Sequence, residues 1–269
     1  MRTKTLPRID GLYWALVISS TTLGETAGDL ISQTLGLGYG GGTVVLLALF
    51  AAAMVAEVLS ARSHAGLYWT TLTLASIGGT TLADYLARSL GLGYPCSTLA
   101  VLAILVAALV AWKLWTRSLD LGAALDARGE SLYWVCILAS STLGTAIGDL
   151  LSKDELNLDD MTLADTRFGE WMAAHHVPQA GMGVGDGMTA GILVAALVAV
   201  VAMALRTKVS RVTCYWAGII VTHPLGAALG DFMTKDDGLN LGNTVSTLIL
   251  AVVLAIVGIF AWRKSRAPR

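Results

Sequence analysis

Eight stretches of mostly apolar residues run through the 269-residue chain, each close to the roughly 20 residues that a helix needs to cross a bilayer. Hydrophobic residues make up 55% of the chain and charged residues 14%, whereas soluble domains carry about 25% charge. The sequence therefore predicts an all-α membrane protein and excludes a disordered chain. The predicted transmembrane helices cover residues 11–32, 42–60, 66–87, 97–115, 131–152, 188–206, 212–234 and 244–262.

The basic residues predict how this membrane domain, residues 1–269, is oriented. Fourteen of the 18 Lys and Arg residues lie in the two termini or in the loops after the second, fourth and sixth segments. Cytoplasmic loops carry an excess of Lys and Arg, so both termini are expected in the cytoplasm. The net charge of -1 argues against a nucleic-acid partner, and the lipid bilayer is the expected partner.

A Tyr-Trp pair opens every second segment, and a glycine and an aspartate follow each Trp at fixed distances. The spacing predicts four two-helix repeats, 11–60, 66–115, 131–206 and 212–262, which all point the same way. Their symmetry axis is expected along the membrane normal, with the polar first helices around it. The repeated residues are Tyr13-Trp14, Tyr68-Trp69, Tyr133-Trp134 and Tyr215-Trp216, then Gly24, Gly79, Gly144 and Gly226, then Asp29, Asp84, Asp149 and Asp231.

These repeats, with motifs such as Thr22-Leu-Gly-Glu-Thr-Ala-Gly-Asp and Thr142-Leu-Gly-Thr-Ala-Ile-Gly-Asp, resemble a known family. It consists of uncharacterised bacterial membrane proteins with four tandem two-helix repeats and a characteristic Trp. The resemblance implies eight helices in the bacterial inner membrane and implies no function. The third repeat departs from the pattern through a long insertion, residues 153–187, expected outside the cytoplasm.

Two of the repeated patterns have structural interpretations. Tyr-Trp pairs at helix ends are typical of the aromatic belt at a membrane interface, and Trp112, Trp115 and Trp262 are expected in the same belt. Each repeated glycine has a small residue four positions later, such as Gly28 after Gly24. Small residues on one helix face let neighbouring backbones approach, so these pairs predict packing seams.

The four aspartates allow two interpretations. An acid inside the membrane is functional by default, which makes all four candidates for cation or proton binding. Basic residues four positions later instead predict structural ion pairs at the favourable helical spacing. The predicted pairs are Asp84–Arg88, Asp149–Lys153 and Asp231–Lys235.

The first repeat breaks this rule and is the best candidate for a site. Asp29 is followed by Gln33 rather than by a basic residue, and Glu25 lies one turn before it. Two acids this close in a low dielectric share a proton or bind a cation. His223, which precedes Pro224 in the fourth repeat, is expected one turn to the cytoplasmic side of Glu25. Glu25, Asp29 and His223 are therefore the predicted metal ligands, with hydroxyls of Thr22, Thr26, Ser141 or Thr145 as helpers.

Mixed oxygen and imidazole ligands suit a divalent ion such as manganese or zinc. The leading hypothesis is a transporter that exports such a cation in exchange for protons. The acidic insertion, which includes Asp154, Glu155 and Asp186, would attract cations at the outer mouth of the transporter. A passive cation channel and a non-transport scaffold or sensor with structural aspartates are the alternatives. We find no phosphate-binding loop and no catalytic motif, and we expect no enzyme and no cofactor other than a cation bound as substrate.

Overall fold

The computed structural model describes residues 7–60, 64–116, 119, 125–155, 171, 174–175 and 178–266. This part of the chain contains eight long helices, as the sequence predicts. Helices α1 and α3 are each extended by one π-helical turn, Leu30–Thr34 and Tyr85–Ser89. The helices are α1 (Gly11–Asp29), α2 (Gly38–Leu59), α3 (Ala65–Asp84), α4 (Gly93–Thr116), α5 (Ala127–Ser152), α6 (Asp186–Arg206), α7 (Arg211–Thr234) and α8 (Gly242–Arg266).

Short polar and glycine signals set where these helices begin. The Asp10 carboxylate accepts hydrogen bonds from the first free amides of α1, and Asp126 and Ser210 cap α5 and α7 in the same way. Where the chain turns into α2, Gly36 and the first residue of the helix, Gly38, have φ angles of 73° and 68°. Glycine adopts this left-handed region without steric cost, which explains the Gly-x-Gly loops that recur in the sequence.

Four helices form a closed inner ring. Helices α1, α3, α5 and α7 each pack against two of the others, and the second helix of every repeat packs outside the first helix of the next repeat. Thus α2 lies on α3, α4 on α5, α6 on α7, and α8 on α1. The predicted spans of α5 and α7 are 72% and 67% buried, against 11–28% for the four outer helices, which confirms that the more polar helices lie inside.

Six helices, α2 and α4 to α8, are long and apolar enough to cross a membrane. The outer helices expose large apolar side chains on their outward faces, among them Val44 (71% exposed), Leu99 (65%) and Leu205 (81%). A contiguous apolar surface of this kind is characteristic of contact with lipid or with another protein. These features are consistent with a multi-pass membrane protein.

Equivalent residues of the four repeats meet inside the ring in layers spaced four residues apart. Along α1 the layers begin at Tyr13, Val17, Thr21, Glu25 and Asp29, and all these residues are buried. The repeated glycines let the helices approach: a Cβ atom on Gly24 would lie 2.6 Å from the Cβ of Ser76. Gly79 faces Ser141, Gly144 faces His223, and Gly226 faces Thr21, so the contact continues around the ring. The predicted packing seams are confirmed.

Candidate cation site

Three carboxylates converge at one end of the inner ring. Glu25 and Asp29 come from successive turns of α1, and Asp231 comes from the last turn of the neighbouring α7. One oxygen from each lies within 4.8 Å of the other two, and all three residues are buried. The structure thus brings the predicted Glu25–Asp29 pair together and adds Asp231, which the sequence offered only as one of four separate acids.

Glu25 is held by hydroxyl groups from the equivalent positions of the next two repeats. Its Oε2 atom accepts hydrogen bonds from Thr80 at 3.1 Å and from Thr145 at 2.9 Å, and these two hydroxyls are 3.1 Å apart. The side chain leaves α1 against Gly230, where an added Cβ would lie 2.7 Å from the Cβ of Glu25. Among the described residues Glu25 has no ion pair, so its charge has only hydroxyl compensation. Of the helpers predicted from sequence, Thr145 contacts Glu25, and Thr80 was missed.

Asp29 also has a neutral partner, and it lines a pocket. The Gln33 amide donates to its Oδ1 at 2.6 Å. A pocket of about 620 Å³ is lined by Asp29, Gln33, Lys235 and the residues that begin α8. This pocket lies at the acidic end of the ring, between α1, α7 and α8. Asp29 lines this pocket, although the residue as a whole is only 3% exposed.

Basic residues neutralise the other acids, and two of the three predicted ion pairs are confirmed. Arg88 pairs with Asp84 at 3.0 Å, and Lys235 pairs with Asp231 at 2.6 Å. The predicted Asp149–Lys153 pair is wrong: Lys153 pairs with Asp231 at 2.7 Å and with Asp186 at 2.8 Å.

The insertion explains the changed partner of Lys153. Met182 and Val184 donate backbone hydrogen bonds to the carbonyls of Leu150 and Leu151 at the end of α5, which leads the chain back to Asp186. Asp149 instead lies 3.8 Å from an Arg88 nitrogen. Burial lowers the pKa of Lys153, but the nearby carboxylates, Asp231 foremost, raise it above its ordinary value. At Lys235 burial again lowers the pKa, and Asp231, Asp29 and Asp149 together raise it well above the ordinary value.

His223 lies outside the group of three carboxylates. Its Nδ1 is 2.8 Å from the carbonyl of Ile219, four residues earlier on α7, which holds the ring back from the Glu25 layer. Its Nε2 atom is buried and has no hydrogen-bond partner among the described residues. The structure therefore brings Glu25 and Asp29 together with Asp231 and leaves the third predicted metal ligand apart.

The structure describes only part of the insertion that was predicted to form an acidic surface. Asp154 and Glu155 are exposed, as expected of such a surface. Asp186 is 2% exposed and paired with Lys153, so its assignment to the surface is wrong. Residues 156–170 and His176 lie outside the described residues.

The Tyr-Trp pairs do not form the predicted aromatic belt, because their tyrosines point inward. The tyrosines are 0–3% exposed, and their hydroxyls meet at the end of the ring opposite the acids. Trp112 is also buried, while Trp115 and Trp262 are exposed as a belt requires. The hydroxyl contacts are Tyr13–Tyr68 at 2.9 Å, Tyr68–Tyr133 at 2.6 Å, Tyr133–Tyr215 at 3.1 Å and Tyr215–Tyr13 at 2.8 Å.

Comparisons with known proteins place the chain in a family but bring no assigned activity. No curated protein and no solved structure matches it. A family model matches four successive segments, residues 12–63, 67–118, 132–210 and 214–267, which together cover most of the chain. These segments agree to within five residues at each end with the repeats that the Tyr-Trp and Asp spacing predicts. The chain therefore belongs to the family described as Repeat of Unknown Function (DUF347).

Proposed function

We propose that the protein is a transporter of the bacterial inner membrane that exports a divalent metal cation in exchange for protons. All eight helices span the membrane in this proposal, as four parallel repeats around an axis along the membrane normal, with both termini in the cytoplasm. The cation binds at Glu25 and Asp29. The observation that carries the proposal is the approach of Glu25, Asp29 and Asp231 to within 4.8 Å of one another in a buried position.

The chemistry of the donors supports a cation of this class. The side chains that donate hydrogen bonds to Glu25 and Asp29 are Thr80, Thr145 and Gln33, none of which carries a charge. Lys235 interacts electrostatically with Asp29 and forms no ion pair with it. Carboxylates that lie close together in a low dielectric repel one another until a proton or a cation binds. With His223 apart, the donors are all oxygen atoms, which suit manganese better than zinc.

The position of the pocket supports exchange with protons from outside. In the predicted orientation the acids lie towards the outer face, and the pocket of about 620 Å³ reaches Asp29 from that side. Protons that arrive through this pocket would neutralise Glu25 and Asp29 and release a bound cation outward. Cation and protons compete for the same carboxylates, which is what couples their movements in this proposal.

A scaffold role is the second candidate, and the ion pairs favour it. Asp84 and Asp231 each contact a basic side chain at 3.0 Å or less, as structural acids do. In that case Glu25 and Asp29 would bind no ion, and the acids would only hold α3, α5 and α7 together. The two candidates differ in what they require of Glu25.

The experiment that separates them is a thermal-shift screen of the purified protein against manganese, zinc, magnesium, calcium and sodium at several pH values. We expect selective stabilisation by one divalent ion, strongest at high pH because protons compete. Glu25→Gln should abolish this shift. Asp84→Asn is the matched control: it removes a buried acid of the same ring that is already paired with Arg88, so it should lower stability and keep the shift.

Flux measurements on reconstituted protein complete the test. Manganese movement against an imposed proton gradient should disappear in Glu25→Gln and in Asp29→Asn. Transport that is unchanged in both variants contradicts the proposed site. An ion-dependent shift that survives Glu25→Gln contradicts it as well, and the absence of both shift and flux favours the scaffold.

A further inference from the structure

The four tyrosine hydroxyls, which we call the tyrosine ring (Tyr13, Tyr68, Tyr133 and Tyr215), complete one another's hydrogen bonds. Each hydroxyl contacts two neighbours, so there are four contacts and four hydroxyl protons. Every hydroxyl can then donate once and accept once, and no proton is left over. The ring is closed without any partner from outside it.

The tyrosine ring leaves no passage along the axis. Sides of 2.6–3.1 Å place opposite oxygens roughly 4 Å apart, so the oxygen atoms themselves fill the centre, and a water molecule of about 1.4 Å radius does not fit. Tryptophans close the outside of the layer: each tyrosine packs against the Trp of the next repeat. The ring centroids are 5.4 Å apart for Tyr13–Trp69, 5.2 Å for Tyr68–Trp134, 6.4 Å for Tyr133–Trp216 and 5.9 Å for Tyr215–Trp14.

A second closed layer follows one helical turn towards the acids. It consists of four apolar side chains, which we call the aliphatic ring, and each is 0% exposed. A layer of this kind opposes the passage of ions because it offers them no polar contacts and excludes water. The aliphatic ring consists of Val17, Leu72, Ile137 and Ile219.

Beyond these two layers the axis becomes polar. The next layer is Thr21, Ser76, Ser141 and His223, and the one after it contains Glu25 with its two threonines. Glu25 is twelve residues from Tyr13, which is about 18 Å along a helix. The inner ring is therefore closed at the tyrosine end and polar at the acidic end.

The geometry points to a gate: the tyrosine ring and the aliphatic ring seal the axis on the side of the membrane opposite the pocket. This inference rests on the proposed transport function and deepens it, because it makes the protein a carrier with alternating access rather than a channel. An ion bound at Glu25 reaches the other side only when the four helices separate enough to open both rings. The hydroxyl ring suits a gate because each of the four helices contributes one hydroxyl, so separation of the helices breaks the contacts that close the layer.

The test is a variant that removes both layers from one helix, Tyr68→Ala/Leu72→Ala. It is reconstituted in liposomes beside the native protein and a control, Leu99→Ala/Trp115→Ala, which shortens two lipid-facing side chains of α4. The readout is passive manganese entry without a proton gradient, which is detected by a fluorescent chelator trapped inside the liposomes. Tryptophan fluorescence and gel filtration establish that each variant is folded.

We expect the double variant to pass manganese at least tenfold faster than the native protein, and the control to match the native protein. A folded double variant that is as tight as the native protein overturns the gate. If the native protein shows proton-driven flux while the folded double variant does not leak, the gate fails and the proposed transport stands. If the double variant leaks although the native protein shows no proton-driven flux, the seal is supported and the exchange mechanism fails.

Discussion

The tyrosine ring makes a specific prediction about the stability of Tyr→Phe variants. The loss of unfolding free energy depends on which hydroxyls are removed and not only on how many. Tyr→Phe keeps the volume of the side chain and deletes one hydroxyl. In Tyr13→Phe the contacts at 2.9 Å to Tyr68 and at 2.8 Å to Tyr215 disappear together. Three hydroxyls then share two contacts, so one buried proton has no acceptor, which costs about 1–3 kcal/mol of unfolding free energy.

Double variants separate a closed ring from a set of independent pairs. The neighbouring pair Tyr13→Phe/Tyr68→Phe leaves the contact between Tyr133 and Tyr215 and strands one proton. The opposite pair Tyr13→Phe/Tyr133→Phe breaks all four contacts and strands two protons, which costs about 2–6 kcal/mol. Replacing all four tyrosines strands none, and removing both partners of a hydrogen bond is close to neutral. The fourfold variant is therefore expected to be more stable than the opposite double variant.

The assay is reversible unfolding of the detergent-solubilised protein by a denaturing detergent, followed by tryptophan fluorescence. Four tryptophans pack on the tyrosine ring, so this signal reports on the layer directly. Tyr85→Phe, outside the ring, is the control and should change stability by less than about 0.5 kcal/mol. Equal losses in the neighbouring and opposite double variants, or a fourfold variant that is the least stable of the set, would refute the closed ring.

Two further predictions concern the seams and the ion pairs. A Cβ on Gly79 would lie 2.7 Å from the Cβ of Ser141, so Gly79→Ala is expected to cost about 1–3 kcal/mol of unfolding free energy. Gly191→Ala is the control: an added Cβ there meets no atom within 4 Å, so it should be neutral or slightly stabilising. Equal effects of the two substitutions in unfolding experiments would contradict the packing seam. Neighbouring carboxylates raise the pKa of Lys235 above its ordinary 10.5, so its stabilisation is complete below pH 10.5 and is lost as the pH rises through the higher folded value. Native protein should lose more stability above pH 10.5 than Lys235→Met does, and equal alkaline losses in the two would count against this charge network.

Much of the fold could be predicted because the four repeats share residue types at fixed positions as well as a common length. The fifteenth residue after each repeated Trp is an aspartate and the tenth is a glycine, so equivalent positions could be assigned in all four copies at once. The packing at the glycines could be predicted because small residues on a helix face let neighbouring backbones approach within a membrane. The Glu25–Asp29 pair could be predicted because both residues belong to one helix at a spacing of four.

What could not be predicted depends on neighbours that are distant in sequence. Asp231 lies close to Glu25 because α7, the last helix of the ring, packs against α1. The order of the helices around the ring cannot be deduced from the sequence of any single repeat. Lys153 leaves Asp149 because the insertion returns Asp186 to the end of α5. The inward tyrosines were missed because Tyr near a helix end usually lies at the interface, yet Tyr13 is four residues before Val17 and twelve before Glu25 on one face. That spacing was the available signal.

The distribution of acids between two adjacent layers follows from where basic side chains can reach. At the end of the ring all four repeats have an aspartate, and Arg88, Lys153 and Lys235 extend from the helix ends towards three of them. These three are Asp84, Asp149 and Asp231. One turn deeper only the first repeat keeps an acid. The other three positions of that layer hold Thr80, Thr145 and Ala227.

Four carboxylates in the deeper layer would repel one another at short range, with no basic group among the described residues to compensate them. A single Glu25 avoids that repulsion, and the two threonines replace like charges with hydroxyl donors at 3.1 and 2.9 Å. The alanine on the fourth helix keeps that position small and uncharged. The charge on Glu25 is then left to be balanced from solution, by a proton or by a metal ion, and a group that accepts either is what the proposed exchange requires.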